Sequence, residues 1–173
     1  MAKVYVSIGS NRDRERNICS CLRHLREVFG ELQVSTVYRS ASIGFQGADF
    51  LNLVVGFDTA WDVWTVATLM RRIETAHGRR RGQHRFTSRT LDLDVLLYDD
   101  LVLQDDALHV PRDDITRYAF VLCPLAELAG ECRHPLLAVT FAELWRAFPV
   151  DERPPLQAVE LDCSNEESER RAS

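Results

Sequence analysis

The sequence predicts an α+β fold, a mainly antiparallel sheet sandwiched by helices, and three observations carry that expectation. Apolar residues alternate with period two in four segments and recur with helical period in two others, in the order strand, helix, strand, strand, helix, strand. Gly and small polar residues punctuate the joints between these segments. At 173 residues the chain has the size of one domain that can bury a substantial core.

Val4 to Ile8 alternates as a first strand, and Gly9, Ser10 and Asn11 read as a turn into a helix with Asp13 as its N-cap. Ile18, Cys21, Leu22, Leu25, Val28 and Phe29 form that helix's apolar stripe, and Gly30 supplies its stop. Leu32 to Arg39 resumes alternation as a second strand, and Phe50 to Asp58 forms a third. The loop between them, Ser40 to Asp49, holds two glycines and is long enough to suggest a function. Thr59 and Asp62 open a second helix with Val63, Val66, Leu69, Met70 and Ile73 buried, and Gly78 ends it. The fourth strand spans Thr90 to Tyr98, with Leu91, Leu93, Val95 and Leu97 on one face and Asp92, Asp94, Leu96 and Tyr98 on the other.

This order is the split βαβ arrangement of ferredoxin-like folds, βαββαβ. Beyond it, short strands are expected at Leu101 to Leu103 and at His109-Val110. A brief helix is expected to start near Pro124 and reach Ala129, and Thr140 with Glu143 forms a capping box for a last helix through Phe148. From Pro149 the composition turns polar and proline-rich. Residues 1–148 are therefore expected to be the folded domain and 149–173 a largely disordered tail, with a short contact around Val159 and Leu161.

The formal net charge is −5, yet basic residues bunch between Arg71 and Arg89, so general nucleic-acid affinity is not expected. Neither a signal peptide nor a membrane-spanning run is apparent, which leads to the expectation of a cytoplasmic protein. The five cysteines are odd in number and include no Cys-x-x-Cys pair, so no zinc site and no disulfide framework is suggested. Cys19 and Cys123 read as small core residues.

The chemistry concentrates at Arg85 to Leu97. Asp92 and Asp94, two apart on a strand, project side by side roughly 6.5 to 7 Å apart. Like charges so placed repel, and strands are depleted in Asp, so a bound cation explains the pair better than structure alone. Mg²⁺ takes one or two carboxylates and completes its shell with water and phosphates, and Arg79, Arg80, Arg81, Arg85 and Arg89 upstream match phosphate oxygens. The competing reading is surface salt bridging between the Asp pair and these arginines.

The run Arg85, Phe86, Thr87, Ser88, Arg89, Thr90, Leu91, Asp92, Leu93, Asp94, Val95, Leu96 resembles the signature of the 6-hydroxymethyl-7,8-dihydropterin pyrophosphokinase family. Further motifs follow in the family's order: Gly9-Ser10-Asn11 after the first strand, Tyr38 to Gly44 as the loop beside the pterin, Phe50-Leu51-Asn52, and Phe120 within Tyr118 to Leu125. The likeness covers about Val4 to Phe148.

It implies transfer of pyrophosphate from ATP to the hydroxymethyl group of a reduced pterin with release of AMP, using two Mg²⁺ ions held by Asp92 and Asp94. It places Arg79 and Arg89 against the phosphates as catalytic groups, and Glu74, Arg81, Phe86, Arg112 and Arg117 around the nucleotide. Ser40, Ala41, Ile43, Phe50, Asn52 and Phe120 would bind the pterin, the two rings stacking on its faces while the Asn52 amide hydrogen-bonds its edge. The arginine loop would close over ATP. The expected partners are small molecules alone, with no nucleic acid, no membrane and a monomeric chain. The alternative for Phe50 and Phe120 is plain core packing, and for Arg80 a solvated basic loop.

The chain departs from the family pattern at Thr87, usually Gly or Ala, and at three positions on the nucleotide side. Phe86 stands where many members have Trp, Arg112 where a His is usual, and Tyr118 in the place of an Arg, with Arg117 one residue earlier. The first rival is a divergent paralogue that acts on another pterin or binds without catalysis. A second is an RNA-binding ferredoxin-like module, disfavoured by the absence of a Gly-Phe-x-Phe run.

Overall fold

The computed structural model describes residues 1–41, 47–78, 91–153 and 155–164. Strand β1 (Ala2–Ser10) leads into helix α1 (Arg14–Phe29), short strands β2 (Gln33–Val34) and β3 (Val37–Ser40), and strand β4 (Phe50–Thr59). Helix α2 (Val63–Ala76) and strand β5 (Asp92–Tyr98) complete the core. The sheet order is β5-β1-β4-β3, and each neighbouring pair is antiparallel. That is the ferredoxin-like βαββαβ topology, as expected.

Two apolar cores lie on opposite faces of the sheet. Val4, Val6, Ile8, Leu53, Val55 and Leu93 pack with the stripes of α1 and α2 on one face. Tyr5, Val54, Leu96 and Leu97 pack on the other with α3 (Asp114–Arg117), α4 (Ala119–Ala129) and α5 (Phe141–Ala147). The order and periodicity of apolar residues suffice to explain the first core.

Helix boundaries follow their capping chemistry. Asp62 accepts hydrogen bonds from the backbone N–H groups of Trp64 and Thr65, which holds its carboxyl below the usual range, the Thr65 hydroxyl contributing most. Thr140 and Glu143 form the expected capping box. Asp13 sits at the N-cap of α1 but makes no side-chain cap there, because its backbone is left-handed at φ 40°. Gly30 and Gly78 also have positive φ, 78° and 88°, and terminate their helices at little steric cost.

Several element bounds and faces differ from expectation. The second strand is broken into β2 and β3 at Ser35, whose buried hydroxyl accepts from the Val54 N–H and interrupts the ladder. Gly9 and Ser10 belong to β1 rather than to a turn, pairing with Asn52 and Leu51. Helix α4 starts at Ala119, so Pro124 lies inside it; burial of Val121, Leu122 and Leu125 against the sheet outweighs the lost backbone bond. The alternation of β5 fails at Leu96, where the register with β1 shifts between Tyr5 and Val6. One extra residue there turns Leu97 to the second core while Leu91, Leu93 and Val95 remain in the first.

Strands β6 (Leu103–Gln104) and β7 (His109–Val110) form a separate two-stranded ribbon, near the places expected. After α5 the chain continues as a strap. The Arg153 guanidinium lies 4.3 Å over the Trp145 ring, Leu156 packs on the second core, and strand β8 (Gln157–Val159) pairs with the outer edge of β3. Val159 and Leu161 reach the first core, as expected of these two residues. Ordered structure therefore extends beyond residue 148 into the segment expected to be a largely disordered tail, because the edge of β3 offers unpaired backbone groups that β8 satisfies. A disulfide joins Cys19 to Cys163. It corrects the reading of Cys19 as a plain core residue and of the cysteines as unpaired. No helix among the described residues is long and apolar enough to cross a membrane.

Candidate active site

The site is built on one end of the sheet, on the face covered by α4. Neighbouring strands place Asp92 of β5, Gly9 of β1, Asn52 of β4 and Tyr38 of β3 in a single cross-strand row. Asp94 lies in the next row, opposite Ser7. Leu91, Leu93 and Val95 point into the first core, so Asp92 and Asp94 point out of the opposite face, each half-buried.

Gly9 has a use the sequence reading missed. A Cβ added there would lie 3.1 Å from Asn52 Oδ1 and 4.0 Å from Phe50 Cδ1, so the bare glycine leaves a shallow floor between the Asn52 amide and the Asp92 carboxylate. With strands spaced about 4.8 Å, the Asn52 and Asp92 backbones stand roughly 10 Å apart across that floor, a span suited to a flat heterocycle. The available signal was a Gly inside a strand, which marks close approach of a neighbouring group.

The polar side of the floor is prearranged. Asn52 Nδ2 donates to Ser40 Oγ at 2.8 Å, and both residues are buried. That bond fixes which way the amide faces and leaves its oxygen beside Gly9. Arg14 Nη1 donates to the Asp49 carbonyl at 2.6 Å, and Asn11 Nδ2 to the Ala48 carbonyl at 3.4 Å, so the start of α1 holds the end of the loop that precedes β4. Phe50 opens β4, half-buried, and Ala41 is exposed just after β3.

Glu74, expected near the nucleotide, is 4 % exposed, and its Oε1 accepts from the Leu93 N–H at 2.8 Å. The backbone it grips lies between the two aspartates. Together with burial, its charge pushes the neighbouring Cys21 thiol up to about 12. Met70, one turn earlier on α2, is also buried, so Glu74 sits on the helix's buried stripe.

Three expected nucleotide-side residues follow β7. Arg112 Nη2 is 2.8 Å from Asp94 Oδ1, its Nε is 3.8 Å from Asp114, and its backbone N–H donates to the Leu96 carbonyl at 3.0 Å. Arg117 is exposed and 3.6 Å from Asp113. Tyr118 stacks on Phe120, ring centroids 5.1 Å apart and planes 18° from parallel. Phe120 is half-buried in the first turn of α4 and packs on the second core, so it serves the core while part of it stays exposed. Arg79, Arg81, Phe86, Arg89 and Ile43 lie outside the described residues, as do the arginine loop and its expected closure.

Two side-by-side carboxylates are hard oxygen donors. Among the described residues no three or more His, Cys, Asp or Glu converge, and a two-carboxylate set fits Mg²⁺, whose shell water and phosphate complete.

The model of the family 7,8-dihydro-6-hydroxymethylpterin-pyrophosphokinase (HPPK) matches residues 5–130. The chain belongs to the HPPK family. Its similarity to the 2-amino-4-hydroxy-6-hydroxymethyldihydropteridine pyrophosphokinase of Aquifex aeolicus is 32 % identity, covering 79 % of this chain and 86 % of that one. To the enzyme of the same name from Pseudomonas aeruginosa it is 36 %, covering 77 % and 84 %. The wild-type Plasmodium falciparum HPPK-DHPS crystal structure superposes with a TM-score of 0.65 at 12 % identity, over 84 % of this chain and 44 % of the longer one, and shares the fold. Membership in the HPPK family supports a pterin-pyrophosphokinase function and implies use of ATP and Mg²⁺.

Proposed function

We propose that the chain transfers pyrophosphate from ATP to the hydroxymethyl group of 6-hydroxymethyl-7,8-dihydropterin, releasing AMP, as a step in folate biosynthesis. The observation that carries this reading is the single row Asp92, Gly9, Asn52: a carboxylate for the reacting end, a bare floor, and an oriented amide for the heterocycle's edge.

Asn52, held by Ser40, binds the pterin edge, and Phe50 and Phe120 supply aromatic contact to its faces. Ala41 and Ile43 belong to the same subsite. Asp92 and Asp94 hold the metal, and Glu74 fixes the backbone between them. Mg²⁺, when bound there, neutralises phosphate charge and lowers the pKa of the attacking hydroxyl. Arg79 and Arg89 stabilise the negative charge that develops on the transferred phosphates, while Arg81, Phe86, Arg112 and Arg117 bind the nucleotide. The hydroxymethyl oxygen attacks the β-phosphorus and gives up its proton to solvent, the bond from the β-phosphorus to the bridging α-phosphate oxygen breaks, and AMP leaves with no covalent enzyme intermediate. A soluble, cytoplasmic, monomeric protein is the corresponding expectation.

The test is AMP formation from ATP, resolved by chromatography, with the reduced pterin and Mg²⁺ each omitted in turn. Dependence on both is expected. AMP formation without the pterin, or pterin binding without AMP formation, would favour the divergent-paralogue reading.

A further inference from the structure

Arg112 stands on the carboxylate that the proposed function gives to the metal. Its Nη2 is 2.8 Å from Asp94 Oδ1, the distance of a charge-assisted hydrogen bond. The pair is partly sheltered, with side chains 33 % and 24 % exposed, so solvent screens it less than a surface bridge. The arginine is placed there by its main chain, since its N–H is bonded to the Leu96 carbonyl of the strand that carries Asp94. Asp114, 3.8 Å from Nε and 15 % exposed, gives the guanidinium a second anionic neighbour.

A guanidinium and a divalent cation cannot both use the same carboxylate oxygen at close range without repelling each other. We propose that Arg112 is a resident counter-cation of Asp94 that competes with the divalent metal, so the chain takes up its metal together with a nucleotide rather than ahead of it. The inference rests on the pyrophosphokinase reading for its metal and nucleotide, and on the Arg112–Asp94 pair for everything else.

The physical sequence is a linkage. In the free protein a metal must displace Arg112 from Asp94 and then tolerate its charge nearby. A triphosphate changes both conditions, because its oxygens accept the guanidinium and add ligands to the metal. Metal and nucleotide therefore raise each other's affinity, and by reciprocity the factor is the same measured from either side. The His that the family usually has at this position is a shorter, weaker cation, so the strength of this coupling belongs to the arginine of this chain.

The test uses the full chain and Mn²⁺ as a spectroscopic stand-in for Mg²⁺, reading free Mn²⁺ by electron paramagnetic resonance, first without nucleotide and then with α,β-methylene-ATP. Arg112→Gln removes the charge while keeping a polar side chain. Arg26→Gln is the control for net charge: Arg26 is exposed near the far end of α1, roughly 20 Å along the helix from the end of β1 that borders the site.

Without nucleotide, Arg112→Gln is expected to bind Mn²⁺ about tenfold tighter than the natural chain, and Arg26→Gln the same as the natural chain within about twofold. With the analogue, the gain in Mn²⁺ affinity should be about tenfold smaller for Arg112→Gln than for the natural chain. Equal or weaker Mn²⁺ binding by Arg112→Gln in the absence of nucleotide overturns the inference and leaves the enzyme reading intact. If neither protein binds Mn²⁺ under either condition, the inference and the metal assignment of Asp92 and Asp94 fall together.

Discussion

Replacing Gly9 by Ala tests the floor of the site with a single carbon. The added Cβ would lie 3.1 Å from Asn52 Oδ1, tighter than nine in ten real Cβ contacts, so the amide must shift by a few tenths of an ångström. Asn52 is also bonded to Ser40 at 2.8 Å, with both residues buried, so any shift strains that bond. Losing its net contribution costs about 0.5 to 1.5 kcal/mol, offset by about 0.4 to 1 kcal/mol from the smaller entropy of the unfolded alanine chain. Stability should therefore change by less than about 1 kcal/mol. Ligand binding has no such offset. A misdirected amide forfeits one hydrogen bond to the pterin, about 0.5 to 1.5 kcal/mol, or roughly a two- to twelvefold loss of affinity. Gly9→Val should lose more, since its branches occupy the floor itself. Calorimetric titration with the pterin and with an ATP analogue, beside a thermal melt, reads all three quantities. Natural pterin affinity in a folded Gly9→Val protein would refute the floor.

Other outcomes follow from the same geometry. Asp94→Ala, and likewise Asp92→Ala, should abolish AMP formation while pterin binding survives; turnover near that of the natural chain in either would remove the metal assignment. Phe120→Ala should weaken pterin binding by about 1 to 3 kcal/mol with ATP affinity little changed, and an unaltered pterin affinity by calorimetry would leave Phe120 only a core residue. His134 is buried, its Nδ1 accepts the N–H groups of Leu136 and Leu137 at 3.2 and 3.3 Å, and burial holds its pKa below the ordinary value. Its folded pKa lies below its unfolded one, so its contribution is complete above the unfolded value of about 6.5 and is lost as pH falls through the folded value. Urea midpoints measured down from neutral pH should drop more steeply for the natural chain than for His134→Gln.

The core and half the site were legible because they depend on local pattern. Period two placed Asp92 and Asp94 on one face, and period 3.6 placed the stripes of α1 and α2. What escaped depends on contacts between distant segments. Leu97 looks like the next member of the Leu91, Leu93, Val95 series until pairing with β1 admits one extra residue. Pro124 reads as a helix start unless one knows that the preceding apolar run has a sheet face to cover. Glu74 is expected beside the nucleotide, yet it is buried and its Oε1 accepts a backbone N–H brought to it by strand β5. Cys19 and Cys163 carry no spacing signal at all, being 144 residues apart and meeting only after the strap has passed the edge of β3.

That strap begins on one face of the sheet, crosses its rim and is fastened on the other, so the closed pair makes a covalent ring of the chain from Cys19 to Cys163. Every strand after β1, and every helix after α1, lies within the ring. A single break anywhere between the two cysteines then opens the ring without releasing a fragment. A nicked molecule keeps its mass until a reductant is added. The outer edge of β3, meanwhile, is kept from pairing with a neighbouring molecule by a strand that cannot drift far even when its own hydrogen bonds open.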